Sequence, residues 1–254
     1  HPAHRAPARK PDDEGPVRLY GIHAVAAALA NPARKIERLL LTENAEHRLA
    51  AAITARKIKS QKVTPRDLDR LLGADTVHQG ALLETADLPE PSLDELATSC
   101  ASAGPLLLLD QVTDPHNVGA ILRSAAVLGS GGLIMTRRHS PPLSGALAKA
   151  ASGGLEVVPV ALVANLARAL QELRALGVRR IGLDGDGDAT IDEAGFGGAV
   201  ALVLGAEGKG LRRLTRESCD LLARIPAAGS FASLNVSNAA AIALYAAARA
   251  RGKS

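Results

Sequence analysis

From residue 105 onward the chain is punctuated by short, uninterrupted apolar runs: Leu106 to Leu109, Gly132 to Met135, Leu155 to Val160, Arg180 to Leu183, Val200 to Leu204 and Leu221 to Ile225. Each has the length of a strand, and helical stretches or Gly-rich turns separate them. A strand with one wet face alternates apolar and polar residues. A continuous run instead requires cover on both faces, which means a mainly parallel sheet between helix layers. The pattern predicts an α/β domain over residues 105–254. Ligands of such sheets bind beyond the carboxyl ends of the strands, so the segments that follow these runs are the places to look for chemistry.

Upstream the rhythm differs. Between Arg18 and Asp87 short helices alternate with short strands: Gly21 to Ala30 reads as a helix ending near Asn31 and Pro32, Ile36 to Leu41 as a strand, and Asn44 to Ala55 as a helix. Thr64 before Pro65, with Asp67 following, gives an N-cap with Pro at the first helical position. We read 18–88 as a small α/β unit and 89–104 as a linker, because turn-forming residues cluster at Leu88 to Ser92 and at Thr98 to Pro105. The unit's basic residues Arg56, Lys57, Lys59 and Lys62 have two readings, a phosphate-facing patch or a solvated helix end. We read residues 1–17, which lack the apolar core of a secretory signal, as a flexible basic tail. Such a tail either touches phosphates or has no role.

A chain of 254 residues is long enough to bury a core, and 47 % hydrophobic content with a mean hydropathy of +0.09 is that of a globular protein. Thirty Lys and Arg against 26 Asp and Glu leave +4, and the pI near 9.3 leans towards a polyanionic partner. Cys100 and Cys219 share no metal-ligand spacing and are too few for a disulfide framework, which points to a reducing, cytoplasmic setting. No apolar run approaches the roughly 20 residues needed to span a bilayer, so no membrane role is expected.

The segments after three of the runs carry the chemistry. The first is Asp114-Pro115-His116-Asn117-Val118-Gly119, running on to Arg123. In the helix it opens, Val118, Ile121, Leu122 and Ala125 fall on one apolar stripe. Arg123 lies off that stripe, free to face solvent or a ligand, while Asn117 sits at the helix start, where Asn is a common N-cap. The second segment is Leu204-Gly205-Ala206-Glu207-Gly208-Lys209-Gly210. It is not a Walker loop, because Val203 stands where the first Gly belongs and Gly210 where Ser or Thr belongs. The third runs from Ile225 through Pro226, Ala227, Ala228, Gly229, Ser230, Phe231, Ala232, Ser233, Leu234, Asn235, Val236 and Ser237 to Asn238, then enters an Ala-rich helix. Asp184-Gly185-Asp186-Gly187-Asp188 begins like a calcium loop but has Ala189 and Gly195 at the sixth and twelfth positions, and reads as an acidic turn. Asp110 to Thr113 replaces any dinucleotide fingerprint after the first run.

Together these three segments resemble the signature motifs of the SpoU/TrmH family of RNA ribose 2'-O-methyltransferases, and the resemblance extends over nearly the whole chain. It implies a C-terminal trefoil knot of the SPOUT type in the α/β domain, preceded by a ribosomal-protein-like RNA-binding domain. It also implies S-adenosylmethionine as methyl donor, held by backbone around Gly205, Ile225 and Leu234, and a homodimer with the site near the subunit interface; no metal is expected, since the motifs hold no His/Cys/Asp cluster with ligand spacing. Arg123, Asn117, Glu207 and Asn235 are the implied site residues. Arg123 would clamp the developing alkoxide, with Glu207 orienting its planar fork, and the two Asn would position ribose and loops. Within the family the chain looks closest to enzymes acting on guanosine in 23S rRNA. The rivals are a tRNA methyltransferase of the same family and a non-catalytic RNA-binding or ribosome-assembly factor. The family's Ile-Pro-Met stands here as Ile225-Pro226-Ala227.

Overall fold

The computed structural model describes residues 15–229 and 234–252. Its first elements are β1 (Val17–Tyr20), α1 (Ile22–Ala30), β2 (Ile36–Leu41), α2 (Glu43–Arg56), β3 (Gln61–Lys62), α3 (Pro65–Leu72) and β4 (Ala81–Thr85). These build a four-stranded sheet of order β1-β4-β2-β3, with β4 antiparallel to both β1 and β2. Side-chain caps set the helix starts. Thr42 accepts from the Ala45 N–H, and Thr64 forms a reciprocal capping box with Asp67, with Pro65 at the first position as the sequence predicts. The expected tail lies outside the described residues as far as residue 14, and β1 already begins at the buried Val17.

The chain continues through α4 (Leu93–Ala103), β5 (Leu106–Asp110), α5 (Pro115–Leu128), β6 (Gly132–Thr136), α6 (Gly145–Ala151), a 3-10 turn at Gly154–Glu156, β7 (Val160–Val163) and α7 (Leu166–Ala175). It closes with β8 (Arg179–Leu183), β9 (Ala189–Thr190), β10 (Val200–Gly205), α8 (Arg213–Glu217), β11 (Leu221–Arg224) and α9 (Val236–Ala250). The second sheet has seven strands in the order β7-β6-β5-β10-β8-β11-β9, every pairing parallel.

Both faces of this sheet are covered, which is why its strands read as unbroken apolar runs. In β5, Leu106 and Leu108 pack with Leu96, Cys100, Leu170 and Leu173 of α4 and α7. Leu107 and Leu109 point the other way, into a cluster with α5, α6 and α9. That cluster runs on without a break into Leu19, Val25 and Leu39 of the small unit.

Two expectations are corrected. Residues 89–104, read as a linker, contain α4, which starts from a Ser92–Glu95 capping box and buries Leu96 and Cys100 in the core. The run from Leu155 to Val160 is not one strand. Gly154 to Glu156 form the 3-10 turn, and Pro159, with no N–H to give a ladder, precedes a strand that starts only at Val160.

Candidate active site

In a parallel sheet all strands end at one edge. β5, β10, β8 and β11 are consecutive neighbours, so the loops that follow them emerge side by side. Those after β8, β10 and β11 surround a cavity of about 730 Å³, of a size usual for ligand sites. Its walls are Leu183 to Gly185 after β8, the glycine loop after β10, Ile225 to Ala228 after β11, and Leu234, Val236 and Ala239 at the start of α9. Gly205, Ile225 and Leu234, the residues expected to hold a cofactor, all line it. Asp184 and Gly185, read from sequence only as an acidic turn, line it as well. Their role depends on β8 lying between β10 and β11, which no local signal reveals. Ser230 to Ser233 of the third motif lie outside the described residues.

The glycines of the second motif have separate reasons. Gly208 and Gly210 adopt φ of 76° and 64°, in the left-handed region that favours glycine. At Gly205 a Cβ would overlap the Gly210 carbonyl, because the loop closes on itself through the Gly210 N–H to Ala206 O bond of 2.9 Å. Asp110, fully buried at the end of β5, latches the same loop. Its carboxylate accepts from the Arg212 N–H at 2.9 Å and from Arg212 Nε at 2.6 Å.

Asn235 caps α9, accepting through Oδ1 from the Ser237 N–H at 2.8 Å and from Ser237 Oγ at 2.6 Å. That fixes the amide's orientation, so its Nδ2 must donate outward. It donates to Asn117 Oδ1 at 3.0 Å and to Glu207 Oε2 at 3.4 Å. One residue from each motif is thereby joined at the cavity rim.

Two details of the expected arrangement are corrected. Asn117 is not the N-cap of α5. Asp114 is, accepting from the His116 N–H at 3.0 Å with Pro115 at the first position, so the Asn117 amide is free to meet Asn235. Nor does Glu207 orient Arg123. Six residues along α5 carry Arg123 about 240° round the helix from Asn117. It is exposed there and makes no hydrogen bond or ion pair among the described residues, while Glu207 lies against Asn235.

The charged side chains in the cavity wall, Asp184 and Glu207, are both carboxylates. Asp184 is paired with Arg216 at 3.1 Å, and Glu207 has no cationic partner among the described residues. Thiol chemistry has no support. Burial pushes the Cys219 thiol up to about 12 and raises that of Cys100, so neither supplies a thiolate near neutrality.

On the small unit the basic run is divided. Arg56 Nη2 donates to the carbonyls of Arg34 at 2.7 Å and Pro32 at 3.3 Å, closing the end of α2 onto the preceding turn. Lys62 lies 3.6 Å from Glu46, and Lys57 is the left-handed C-cap of α2.

The SpoU rRNA Methylase family profile matches residues 104–245, and a profile described as RNA 2'-O ribose methyltransferase substrate binding matches residues 18–91. The chain is 42 % identical over 237 residues to the 23S rRNA (guanosine-2'-O-)-methyltransferase RlmB of Ralstonia nicotianae, spanning 92 % of this chain and 95 % of that protein. It is 43 % identical over 239 residues to the RlmB of Shewanella oneidensis, spanning 92 % and 97 %. Among solved structures, the SpoU methyltransferase AviRb from Streptomyces viridochromogenes, in complex with the cofactor AdoMet, matches with a TM-score of 0.79 at 26 % identity, covering 94 % of this chain and 92 % of that one. With the motif residues gathered at one sheet edge and both profiles matched in order, the chain belongs to the SpoU rRNA methylase family.

Proposed function

We propose that this protein methylates a ribose 2'-hydroxyl of RNA, a guanosine of 23S rRNA, with S-adenosylmethionine as donor. The observation that carries this reading is the single cavity walled by the second and third motif loops, with Asn117 of the first tied to its rim. The RlmB relatives supply the RNA and the nucleotide. The cavity suits the donor. Glu207, a wall carboxylate with no cationic partner among the described residues, favours a cationic sulfonium, and Gly205, Ile225 and Leu234 offer loop backbone and apolar surface beside it.

When bound, the donor supplies a methyl group that is already activated. The protein's task is to align the ribose hydroxyl and ease loss of its proton. A guanidinium, protonated up to about pH 12, is no base near neutrality, so Arg123 acts as a charge clamp on the developing alkoxide and a neighbouring phosphate. Asn117 and Asn235 hold the ribose and the loops by amide hydrogen bonds, and Glu207 is kept at the rim by Asn235. The proton leaves to a phosphate oxygen or water.

Arg123 shares an exposed face of α5 with Val127, 78 % exposed. We infer a homodimer in which a second copy covers this face, so that Arg123 serves a site near the interface. Residues 18–88 form the RNA substrate-binding domain, supported by the match over 18–91. Residues 89–104 connect it to the catalytic domain of 105–254, whose C-terminal segment is threaded as a trefoil knot. An rRNA substrate sets the reaction in the cytoplasm. Among the described residues no helix is long and apolar enough to cross a membrane.

With labelled S-adenosylmethionine and 23S rRNA, Arg123→Ala should reduce turnover by roughly 10²-fold or more, the usual effect of losing a preorganised charge-stabilising group, and leave donor affinity unchanged. Arg123→Lys should stay impaired, because one ammonium cannot reproduce a planar fork. Near-normal turnover in Arg123→Lys would overturn the clamp, and wild-type labelling of tRNA rather than rRNA would overturn the substrate assignment.

A further inference from the structure

Between the small unit and the catalytic domain lies a buried ion pair, Arg34 with Glu156, whose side chains are 2 % and 5 % exposed. Arg34 Nε donates to both carboxylate oxygens, at 3.1 and 3.0 Å, and Nη2 donates to Oε1 at 2.9 Å. Asn31 Nδ2 adds a bond to Oε2 at 2.8 Å. The other arm of Arg34 donates to Ala86 O at 3.1 Å, where β4 gives way to the connection. Four residues further on, before α4, the Glu90 carboxylate accepts from Arg137 Nη2 at 2.8 and 2.9 Å and from the Leu162 N–H at 2.8 Å. The stretch from Ala86 to Glu90, where the chain leaves the small unit, is therefore fastened at one end to Arg34 and at the other to the catalytic domain.

Glu156 also sits close to the chemistry. Its 3-10 turn is wedged against α5, where a Cβ on Gly154 would lie 2.7 Å from Leu122 O and 3.0 Å from Arg123 N. A buried ion pair contributes little net stability, because desolvation of the two charges offsets their attraction, and its best-attested use is to select one arrangement over others. The pair links the unit proposed to hold RNA directly to the turn of α5 that carries Arg123.

We propose that Arg34 and Glu156 are positioning residues for methyl transfer. They form a strap that fixes the substrate-binding unit at one offset from Arg123, so that RNA gripped by that unit presents one ribose to the site. The proposal rests on the function proposed above. Misplacement of a reacting group by about 1 Å costs as much as 10²-fold in rate, so loss of the strap acts on the chemical step more than on either binding step.

The test uses the full chain in two forms. Glu156→Gln removes the charge with little change of shape. The double variant Arg34→Met with Glu156→Leu replaces the pair by apolar side chains of similar volume and leaves no lone buried charge, a change that proteins tolerate. Spin labels at the exposed positions Val77 and Leu214, each changed to Cys, report the spread of distances between the two units. Both variants should lose about tenfold or more in kcat on 23S rRNA, hold RNA and S-adenosylmethionine affinities within about threefold, and show a broadened distance distribution. A narrow, wild-type distribution in the double variant, or a broadened one with unchanged kcat, would overturn the strap. If wild-type protein methylates no RNA, the functional reading fails, while broadening in the variants still supports the strap itself.

Discussion

At Gly205 a single missing atom shapes the site. The loop after β10 folds back so tightly that any Cβ would meet the Gly210 carbonyl and the Leu211 N–H, which are backbone and cannot swing aside. Gly205→Ala should therefore displace the cavity wall and weaken S-adenosylmethionine binding by at least about tenfold in calorimetry, in line with the cost of overpacking a tight site. An unchanged affinity would show that the loop adapts. Residues singled out in the sequence come together in the structure: Asn117, Glu207 and Asn235 meet at the rim, and Gly205, Ile225 and Leu234 line the cavity, while Arg123 stands apart on α5. Their partnerships were not. Glu207 was expected beside Arg123 and lies against Asn235, since contacts across 28 residues depend on the path of two loops rather than on any local pattern.

Elements followed the sequence where a cap or a turn residue marked their ends. Ile36–Leu41 matches its expected strand, and α3 begins at the Thr64 box. They failed where tertiary contacts overruled composition. Ser and Ala in α4 read as a linker, yet one buried face carrying Leu96 and Cys100 suffices to hold a capped helix against the sheet. Between elements, Asp220 joins the loop before β11 to Arg180 of β8, its carboxylate accepting from the Arg180 N–H at 2.8 Å and from Nε at 2.9 Å. Those hydrogen bonds, reinforced by the Arg180 charge and opposed by burial, hold the Asp220 carboxyl below its usual range. An unfolded Asp titrates near about 3.9, so this contribution is complete above that value and is lost as pH falls through the lower folded value. Asp220→Asn should lower the urea midpoint at pH 7 and narrow the gap to wild type as the pH falls below 4. A gap that stays constant with pH would remove the ion pair as its cause.

For the whole molecule, continuous apolar runs correctly implied a parallel sheet with two covered faces, and the strand order explains why three distant motifs share one edge. The order itself, with β10 between β5 and β8, was not legible, because parallel neighbours need not be neighbours in sequence. Nor was the merging of the small unit's core with that of the larger domain, which makes the Arg34–Glu156 contact possible. The function proposed above asks this arrangement to hold RNA on the small unit while one ribose enters the site. Mapping of 2'-O-methyl groups in rRNA and tRNA from cells with and without the gene should show one guanosine of 23S rRNA losing its mark, restored by the wild-type gene but not by Arg123→Ala. A 23S rRNA map unchanged by the deletion, or a mark lost only from tRNA, would contradict it.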